Sequence, residues 1–352
     1  MIIHIIGQEN FYQRNFIHFI ERNFPSREHR FIFRSNTFKR INYKEETSIE
    51  RKVSLISLIL FTWQLFKAKK VFIHYLPYGP SLIFWTFYSL FSKNLVWVFW
   101  GGDIYIYQEK NRSLKTKFYE FFRKLLIRRL KNIAGFIKQD FEIIQKVYST
   151  KACYNQTIYP LPISFSEFSL NSTDKRGVTI QILAGNSADP SNNHLELFSV
   201  LEKFKDEDIQ IICPLSYGPD KAYISKIAKE GERRFGEKFK PLLQFMPPAE
   251  YSKVIQAIDV AIMNHERQQG LGNLISILGL GKKVFVRSDT TSFSYFKSQN
   301  IAVWDTLDIK NLTFESFISM NTNEAIKNKT LVLNVFSEHH YKELWSNAFN
   351  LQ

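Results

Sequence analysis

Short apolar runs alternate with helix-length segments along most of this chain, and that alternation limits the folds open to it. In the first half the strand-like runs are Ile2–Ile6, Arg30–Phe33, Lys70–His74, Leu95–Phe99 and Ile133–Ile137. Helix-length segments lie between and after them, at Asn10–Arg22, Ser48–Ala68, Ser81–Ser92, Ser113–Leu130 and Gln139–Tyr148. The pattern predicts an α/β class, with a parallel sheet covered on both faces. It breaks at Tyr159-Pro160-Leu161-Pro162 and the polar stretch Ser169 to Gly177, which places a linker between about residues 160 and 176. It restarts with strands at Val178–Leu183, Gln210–Cys213, Leu242–Phe245, Val260–Met263, Lys283–Val286 and Ile301–Val303. The matching helices are Asn193–Lys205, Lys221–Phe235, Ala249–Ala257, Asn273–Leu280 and Ser292–Ser298. Two open α/β domains are expected, at residues 1–165 and 176–330. Residues 331–352 are expected to close the chain with a helix from Phe336 to Phe349. Open α/β domains bind ligands at the carboxyl ends of their strands, and two facing domains would bring those edges together across a cleft.

A length of 352 residues fits two domains. Aromatic residues make up 16% and charged residues 23%, which excludes a disordered chain. The formal charge of +14 favours polyanionic partners: nucleic acid, anionic lipid or phosphorylated substrates. Cys153 and Cys213 are the only cysteines, which excludes a cysteine-rich zinc module or a disulfide scaffold and fits a reducing compartment. Met1 to Gly7 has no basic n-region and reads as a buried strand. The longest nearly uncharged stretch, Val53 to Phe66, falls short of the ~20 residues that span a bilayer. The expectation is a soluble or peripheral cytoplasmic protein.

The richest stretch for chemistry is Asn264 to Leu274, between the strand-like Val260–Met263 and a helix-like run ending at Gly281. Gly270 and Gly272 let the backbone approach an anion, and the helix start favours phosphate. Arg267 adds a charged donor fork, and Gln268, Gln269 and Asn273 add amides. The stretch reads either as a diphosphate and sugar loop or as an ordinary strand–loop–helix turn. Gly185 to His194 follows the first strand of the second half. Gly185, Asn186, Ser187, Asp189, Ser191, Asn192 and His194 make it a donor-site loop or a capped turn. Pro214 to Gly218 follows the next strand, and Tyr217 there could pack on a base or close a plain turn.

In the first half, Trp100-Gly101-Gly102-Asp103-Ile104-Tyr105 follows a strand. Asp103 could deprotonate or orient an acceptor hydroxyl, or cap the next segment. His4 and His74 sit in or at the ends of strands, as core residues or on the acceptor side. Asp206-Glu207-Asp208 has Asp-x-Asp spacing and reads as a metal clamp or a solvated turn. No HExxH, P-loop, GxSxG or zinc-ligand spacing occurs, and no metal is expected. Lys110 to Lys131 interleaves basic and aromatic residues, as a helix on an anionic membrane or a core helix with a basic outer face. The apolar stretch between Arg51 and Lys70 points the same way.

Taken together, these blocks resemble glycosyltransferase family 56, the TDP-Fuc4NAc:lipid II transferases and 4-alpha-L-fucosyltransferase-like enzymes. The resemblance rests on Ile3-His4-Ile5-Ile6-Gly7 and Trp100 to Tyr105, then Gly185 to Ser187 with Asp189, Ser191, Asn192 and His194. Pro214 with Tyr217, and Arg267 to Gly272, complete it. Gly102 stands where the family pattern has Ala, and Ala188 where it has Gly; both are exchanges among small residues.

The resemblance implies a GT-B fold, two Rossmann-like domains facing across a cleft, with the acceptor on the first and the sugar nucleotide on the second. It implies transfer of a deoxy-amino sugar from a dTDP-sugar to an undecaprenyl-diphosphate-linked saccharide, without a metal or other cofactor. The place would be the cytoplasmic face of the bacterial inner membrane, with an anionic membrane surface and no nucleic acid as partner. Asp103 would be the acceptor-side base or orienting carboxylate. His4, His74, Trp100, Gly101, Gly102 and Tyr105 would line the acceptor side. The loops at 185–194, 214–217 and 267–273 would hold the donor. The rival readings are UDP- or GDP-sugar transfer to another glycan, and a non-catalytic basic protein that binds membrane or nucleic acid.

Overall fold

A computed structural model of the chain describes residues 1–7, 11–34, 37–42, 47–52, 55–108, 113–161, 179–218 and 220–351. Most of the expected linker lies outside these residues, as do Asn10, Val178, Lys110 and Arg112. The chain divides into two compact units, Met1–Pro162 with Phe336–Gln352, and Ile163–Val335.

The first unit has strands β1 (Ile2–Ile6), β2 (His29–Arg34), β3 (Thr37–Asn42), β4 (Thr47–Lys52), β5 (Lys70–His74), β6 (Leu95–Val98), β7 (Asn132–Gly135) and β8 (Cys153–Gln156). Its helices are α1 (Phe11–Asn23), α2 (Leu55–Lys67), α3 (Ser81–Phe91), α4 (Leu114–Arg129) and α5 (Lys138–Tyr148). The sheet order is β4-β3-β2-β1-β5-β6-β7-β8. All neighbours from β2 to β8 are parallel, and β3 and β4 extend one edge as antiparallel strands.

The second unit has β9 (Ile180–Ala184), β10 (Ile209–Pro214), β11 (Phe239–Leu242), β12 (Val260–Met263), β13 (Lys283–Val286) and β14 (Trp304–Asp305). Its helices are α6 (His194–Leu201), α7 (Lys221–Phe235), α8 (Pro248–Ala257), α9 (Leu271–Gly279), α10 (Thr291–Ser298), α11 (Phe314–Ile318) and α12 (Thr322–Val335). The order β11-β10-β9-β12-β13-β14 is parallel throughout and reverses direction between β9 and β12. A last helix, α13 (Glu338–Phe349), belongs to the first unit.

Strand geometry explains how the first unit fills both faces of its sheet. Side chains alternate along a strand, so Ile3 and Ile5 point one way and His4 the other. Ile3, Ile5, Val71, Ile73 and Trp97 pack with Leu65 of α2, Leu82 and Trp85 of α3, and Leu126 and Ile127 of α4. On the opposite face, His4 and His74 meet Phe16 of α1, and Phe72 meets Trp345 and Phe349 of α13.

Several elements differ from the sequence-based expectations. The segment expected as one helix from Ser48 to Ala68 is strand β4 followed by α2. Strand β11 ends where a strand was expected to begin, and Leu243 and Phe245 beyond it are exposed. Pro241 sits inside β11 because this is an edge strand, where a missing N–H breaks no ladder on the open side. The strand expected at Ile301–Val303 lies instead at Trp304–Asp305. Strands β3 and β8 and helices α11 and α12 were not expected. Among the described residues no helix is long and apolar enough to cross a membrane.

Candidate active site

In the second unit the reversal of strand order between β9 and β12 opens a crevice at their carboxyl ends, the usual ligand position of a doubly wound sheet. Two loops border it, 185–193 after β9 and 264–270 after β12. Both turn on glycines that no other residue replaces without strain. Gly185 has φ +75°, and a Cβ there would stand 2.8 Å from Asn192 Oδ1. Gly270 has φ +65° and caps α9; a Cβ would stand 3.0 Å from Asn186 and 3.1 Å from His265.

Asn192 ties the two loops together. It is fully buried, and its Oδ1 accepts from Asn186 N at 3.0 Å and His265 Nε2 at 2.8 Å. Its Nδ2 donates to Asp189 O at 3.0 Å and Ser187 Oγ at 3.3 Å. A second tie runs through Gln269, whose Nε2 donates to Ser187 Oγ at 3.2 Å and whose Oε1 lies 2.7 Å from Ser191 Oγ. Ser191 carries one hydroxyl proton, and the carboxylate Asp189 Oδ1, at 2.6 Å, is its stronger acceptor. Arg267 Nη2 donates to Asp189 Oδ2 at 3.4 Å. Burial opposes ionisation of Asp189, but the Ser191 hydrogen bonds and the charge of Arg267 outweigh it, so the carboxyl titrates below its ordinary range.

Within the two loops the basic side chain is Arg267, and a helix end adds partial positive charge. Arg267 is 26% exposed, held by Asp189 beside the first turn of α9. That turn has no acidic residue and points its N–H groups past Gly270. The histidines contribute no charge at neutral pH. Burial, helped by the nearby His194 and Arg267, lowers His265 to about 3, and burial lowers His194 to about 4. Arg267 is paired with the ionised Asp189, so it is the α9 helix end, beside this pair and the hydroxyl and amide groups, that favours a phosphate.

Not every expected donor residue reaches the crevice. Asn192 and His194 are fully buried behind Gly185, with His194 Nδ1 3.0 Å from Tyr223 OH. Pro214 is buried at the end of β10, and Ser187 is nearly so. These residues shape the loops and do not face a ligand. Asn186, Asp189, Ser191, Arg267, Gln268, Gln269, Gly270, Gly272 and Asn273 are half-buried at the edge. Asn273 Nδ2 donates to Tyr251 OH at 2.9 Å. Tyr217 is 79% exposed, and its carbonyl accepts from Ala188 N at 2.7 Å, which fixes its loop against the β9 loop.

The first unit corrects three expectations. Asp103 is fully buried. Its Oδ2 accepts from Leu76 N and Trp97 Nε1, both at 2.8 Å, and its Oδ1 accepts from Trp100 N at 2.7 Å. Burial pushes its carboxyl up, against the Arg123 charge and these three hydrogen bonds. A carboxylate closed off in this way meets no acceptor hydroxyl. It caps the turn at Gly101–Asp103, the second role considered for it. His4 and His74 are also fully buried, 2.9 Å apart, with His29 at 3.1 Å from His4. They are core residues of the sheet, not acceptor contacts. Tyr105 is half-buried and donates to Asp140 Oδ1 at 2.9 Å, and Gly101 is buried.

Trp100 and Gly102 do reach the carboxyl edge of this sheet, Trp100 half-buried with its ring edge-on to Tyr159 at 4.3 Å and Gly102 exposed. Beside them is a residue that sequence reading missed. Tyr75 directly follows β5, at the point where strand order reverses between β1 and β5. It has φ +68°, and its ring lies 3.8 Å from where a Cβ of Gly102 would be. A bulky residue with positive φ at a strand end is a strained conformation that points to function. The signal in the sequence was only its position after a buried strand.

Asp206, Glu207 and Asp208 lie exposed in the turn before β10. Among the described residues no group of three or more His, Cys, Asp or Glu is placed to hold a metal ion.

Comparison with known proteins agrees with this architecture. The family described as "4-alpha-L-fucosyltransferase glycosyl transferase group 56" matches residues 20–351. A glycosyltransferase of Rickettsia africae superposes with a TM-score of 0.68 at 11% identity, covering 99% of this chain and 97% of that one. A sucrose-phosphate synthase of Thermosynechococcus elongatus gives 0.69 at 11% identity, with 99% and 98% covered. Anabaena HepE in complex with UDP gives 0.66 at 8% identity, with 99% of each chain covered. At these identities the superpositions speak for the fold, which is GT-B, and the family match speaks for the activity. The chain is therefore a glycosyltransferase and belongs to glycosyltransferase family 56.

Proposed function

We propose that this transferase moves a deoxy-amino sugar, of the 4-acetamido-4,6-dideoxygalactose type, from a dTDP-sugar to a hydroxyl of an undecaprenyl-diphosphate-linked saccharide. The setting is surface polysaccharide assembly at the cytoplasmic face of a bacterial inner membrane. The observation that carries the donor half is Arg267 held by Asp189 at the amino end of α9, with Gly270 and Gly185 clearing the backbone around it. This is a seat for a diphosphate. The likeness to a structure containing UDP supports a nucleoside diphosphate as the ligand. Tyr217 offers an exposed ring beside the same loops for the base.

In the reaction the bond from the sugar C1 to the diphosphate oxygen breaks, and a bond from C1 to the acceptor oxygen forms. The departing diphosphate gains negative charge, which Arg267 and the α9 N–H groups stabilise as it develops. With Asp103 buried, the acceptor proton passes to the leaving phosphate oxygen. The reaction needs no metal in this reading, because Arg267 and the helix end offset the diphosphate charge. On the acceptor side, Tyr75 and Trp100 present aromatic faces to a sugar ring.

The test is a thermal-shift panel of dTDP, UDP, GDP, CDP and ADP on the wild type and on Arg267→Ala. Ligand at ~100 times its dissociation constant adds roughly 2.7 kcal/mol. The expected result is a shift selective for dTDP that Arg267→Ala weakens by roughly tenfold or more in affinity, the size of a lost charge-assisted contact. A shift with UDP or GDP alone would replace the donor, and an unchanged Arg267→Ala would remove the diphosphate seat. Transfer from a dTDP-sugar to a lipid-linked saccharide, followed by mass spectrometry, then tests the acceptor.

A further inference from the structure

The outer surface of helices α2, α3 and α4 is built against the usual rule for a water-facing surface. Among the described residues, thirteen of the twenty-two exposed large hydrophobic side chains lie on these three helices. Ile56 of α2 is 72% exposed, Phe91 of α3 77%, and Leu114 and Phe121 of α4 85% and 64%. The helices form one continuous layer. Tyr88 OH of α3 lies 2.9 Å from Leu65 O of α2, and Thr86 Oγ1 of α3 lies 3.1 Å from Phe122 O of α4. Their inner sides bury Leu65, Leu82, Trp85, Leu126 and Ile127 against the sheet, so the outward rings are surplus to the core.

On α4 the exposed apolar residues Leu114, Phe118, Phe121 and Leu125 recur at helical spacing along one stripe. Lys117, Lys124 and Arg128 are exposed beside them. The helix carries six basic residues and one acidic one, Glu120, while α3 carries no charge at all. On α2, Lys67 Nζ stands 3.6 Å over the ring of Trp63, which is itself exposed. Apolar rings flanked by cations complement one kind of partner: hydrocarbon under a layer of negative charge.

We infer that the α2–α3–α4 face docks on an anionic phospholipid bilayer, with its aromatic and aliphatic side chains entering the interface and its lysines and arginines at the headgroups. The inference deepens the reading above and rests on it for its purpose, since a lipid-linked acceptor is presented at such a surface. The long stems of Lys67, Lys117 and Lys124 let their charges remain at the headgroups as the rings insert.

The test is flotation of the full chain with phosphatidylcholine vesicles rich in phosphatidylglycerol, at ~0.1 M and ~0.5 M NaCl. The expected result is co-flotation at both salts, because salt screens charge and not apolar insertion. The double variant Phe91→Glu with Phe121→Glu is expected to lose vesicle binding at least tenfold. It should keep its circular dichroism and the nucleotide thermal shift of the second unit. Brominated acyl chains should quench Trp63, and Trp63→Phe should reduce the quenching without ending flotation. Wild-type protein that stays in the aqueous phase, or a variant that floats equally well, overturns the inference. A nucleotide shift without flotation rejects this face and leaves the donor reading intact; flotation without any nucleotide shift does the reverse. A dimer in solution that the double variant breaks, without flotation, assigns the face to a second copy and also overturns the inference.

Discussion

At Gly270 the backbone, the helix start and the side chains of the neighbouring loop make one demand. An added methyl there meets Asn186 and His265 at 3.0 to 3.2 Å in a conformation with φ +65°. Gly270→Ala therefore costs about 1–2 kcal/mol in backbone strain alone. It is expected to weaken nucleotide binding more than it lowers the melting temperature, and calorimetric titration beside a melting curve checks this. Asp103 leads to the opposite pattern. Its oxygens accept from three N–H groups, so Asp103→Asn turns an amide N–H toward a donor and leaves a buried group unpaired. The expected loss is about 2 kcal/mol or more of stability, with turnover per folded molecule nearly unchanged. A fall in turnover of ~10² or more at unchanged stability would return the aspartate to acid–base chemistry. The sequence marks Asp103 as a polar residue beyond a strand end and His4 as one within a strand, but not which way they face. Burial is decided by helices far along the chain, Arg123 in one case and Phe349 in the other.

Among the elements, legibility followed how completely a segment is buried. Strands β1 and β12 are buried at every position and read as plain apolar runs. Strands β3 and β4, Thr-Phe-Lys-Arg-Ile-Asn and Thr-Ser-Ile-Glu-Arg-Lys, are rich in charge and lie on an edge, so the first shows no apolar run and the second resembles a polar helix start. Strand β11 was misplaced because the apolar residues beyond it, Leu243 and Phe245, are exposed, while the strand itself holds Pro241. The loops after β9 and β12 stood out by their glycines and amides. Their joining through Asn192 did not, because it depends on strands that are neighbours in space and far apart in sequence. Helix α11 depends on a similar long-range tie. Lys283, buried on β13, donates to the carbonyls of Ser316 and Ser319 at 2.6 and 2.7 Å, within the helix and just beyond its end. Lys283→Met strands both carbonyls and is expected to lower unfolding free energy by roughly 2 kcal/mol, measurable by urea titration.

Across the whole molecule, both units keep histidines neutral inside. Burial lowers His4 well below its usual value and His29 to about 4 in the first unit. It lowers His194 to about 4 and His265 to about 3 in the second. In the unfolded chain these groups take up protons near the ordinary value of 6.5. The stability they allow is complete above about pH 6.5 and is lost as pH falls from there through about 4. Urea midpoints from about pH 7 down to about pH 4 should fall steadily, and a flat profile would contradict the burial of these rings. The placement of α13 has a different consequence. Trp345 is fully buried, 4.7 Å from Phe16, and its Nε1 donates to Ile158 O at 2.9 Å. The first unit is therefore sewn from both ends of the sequence. During synthesis on a ribosome, residues 163–335 can complete their unit before the earlier one closes. Until residue 349 has emerged, the face of the first sheet around Phe16 and Phe72 lacks the cover that α13 gives it.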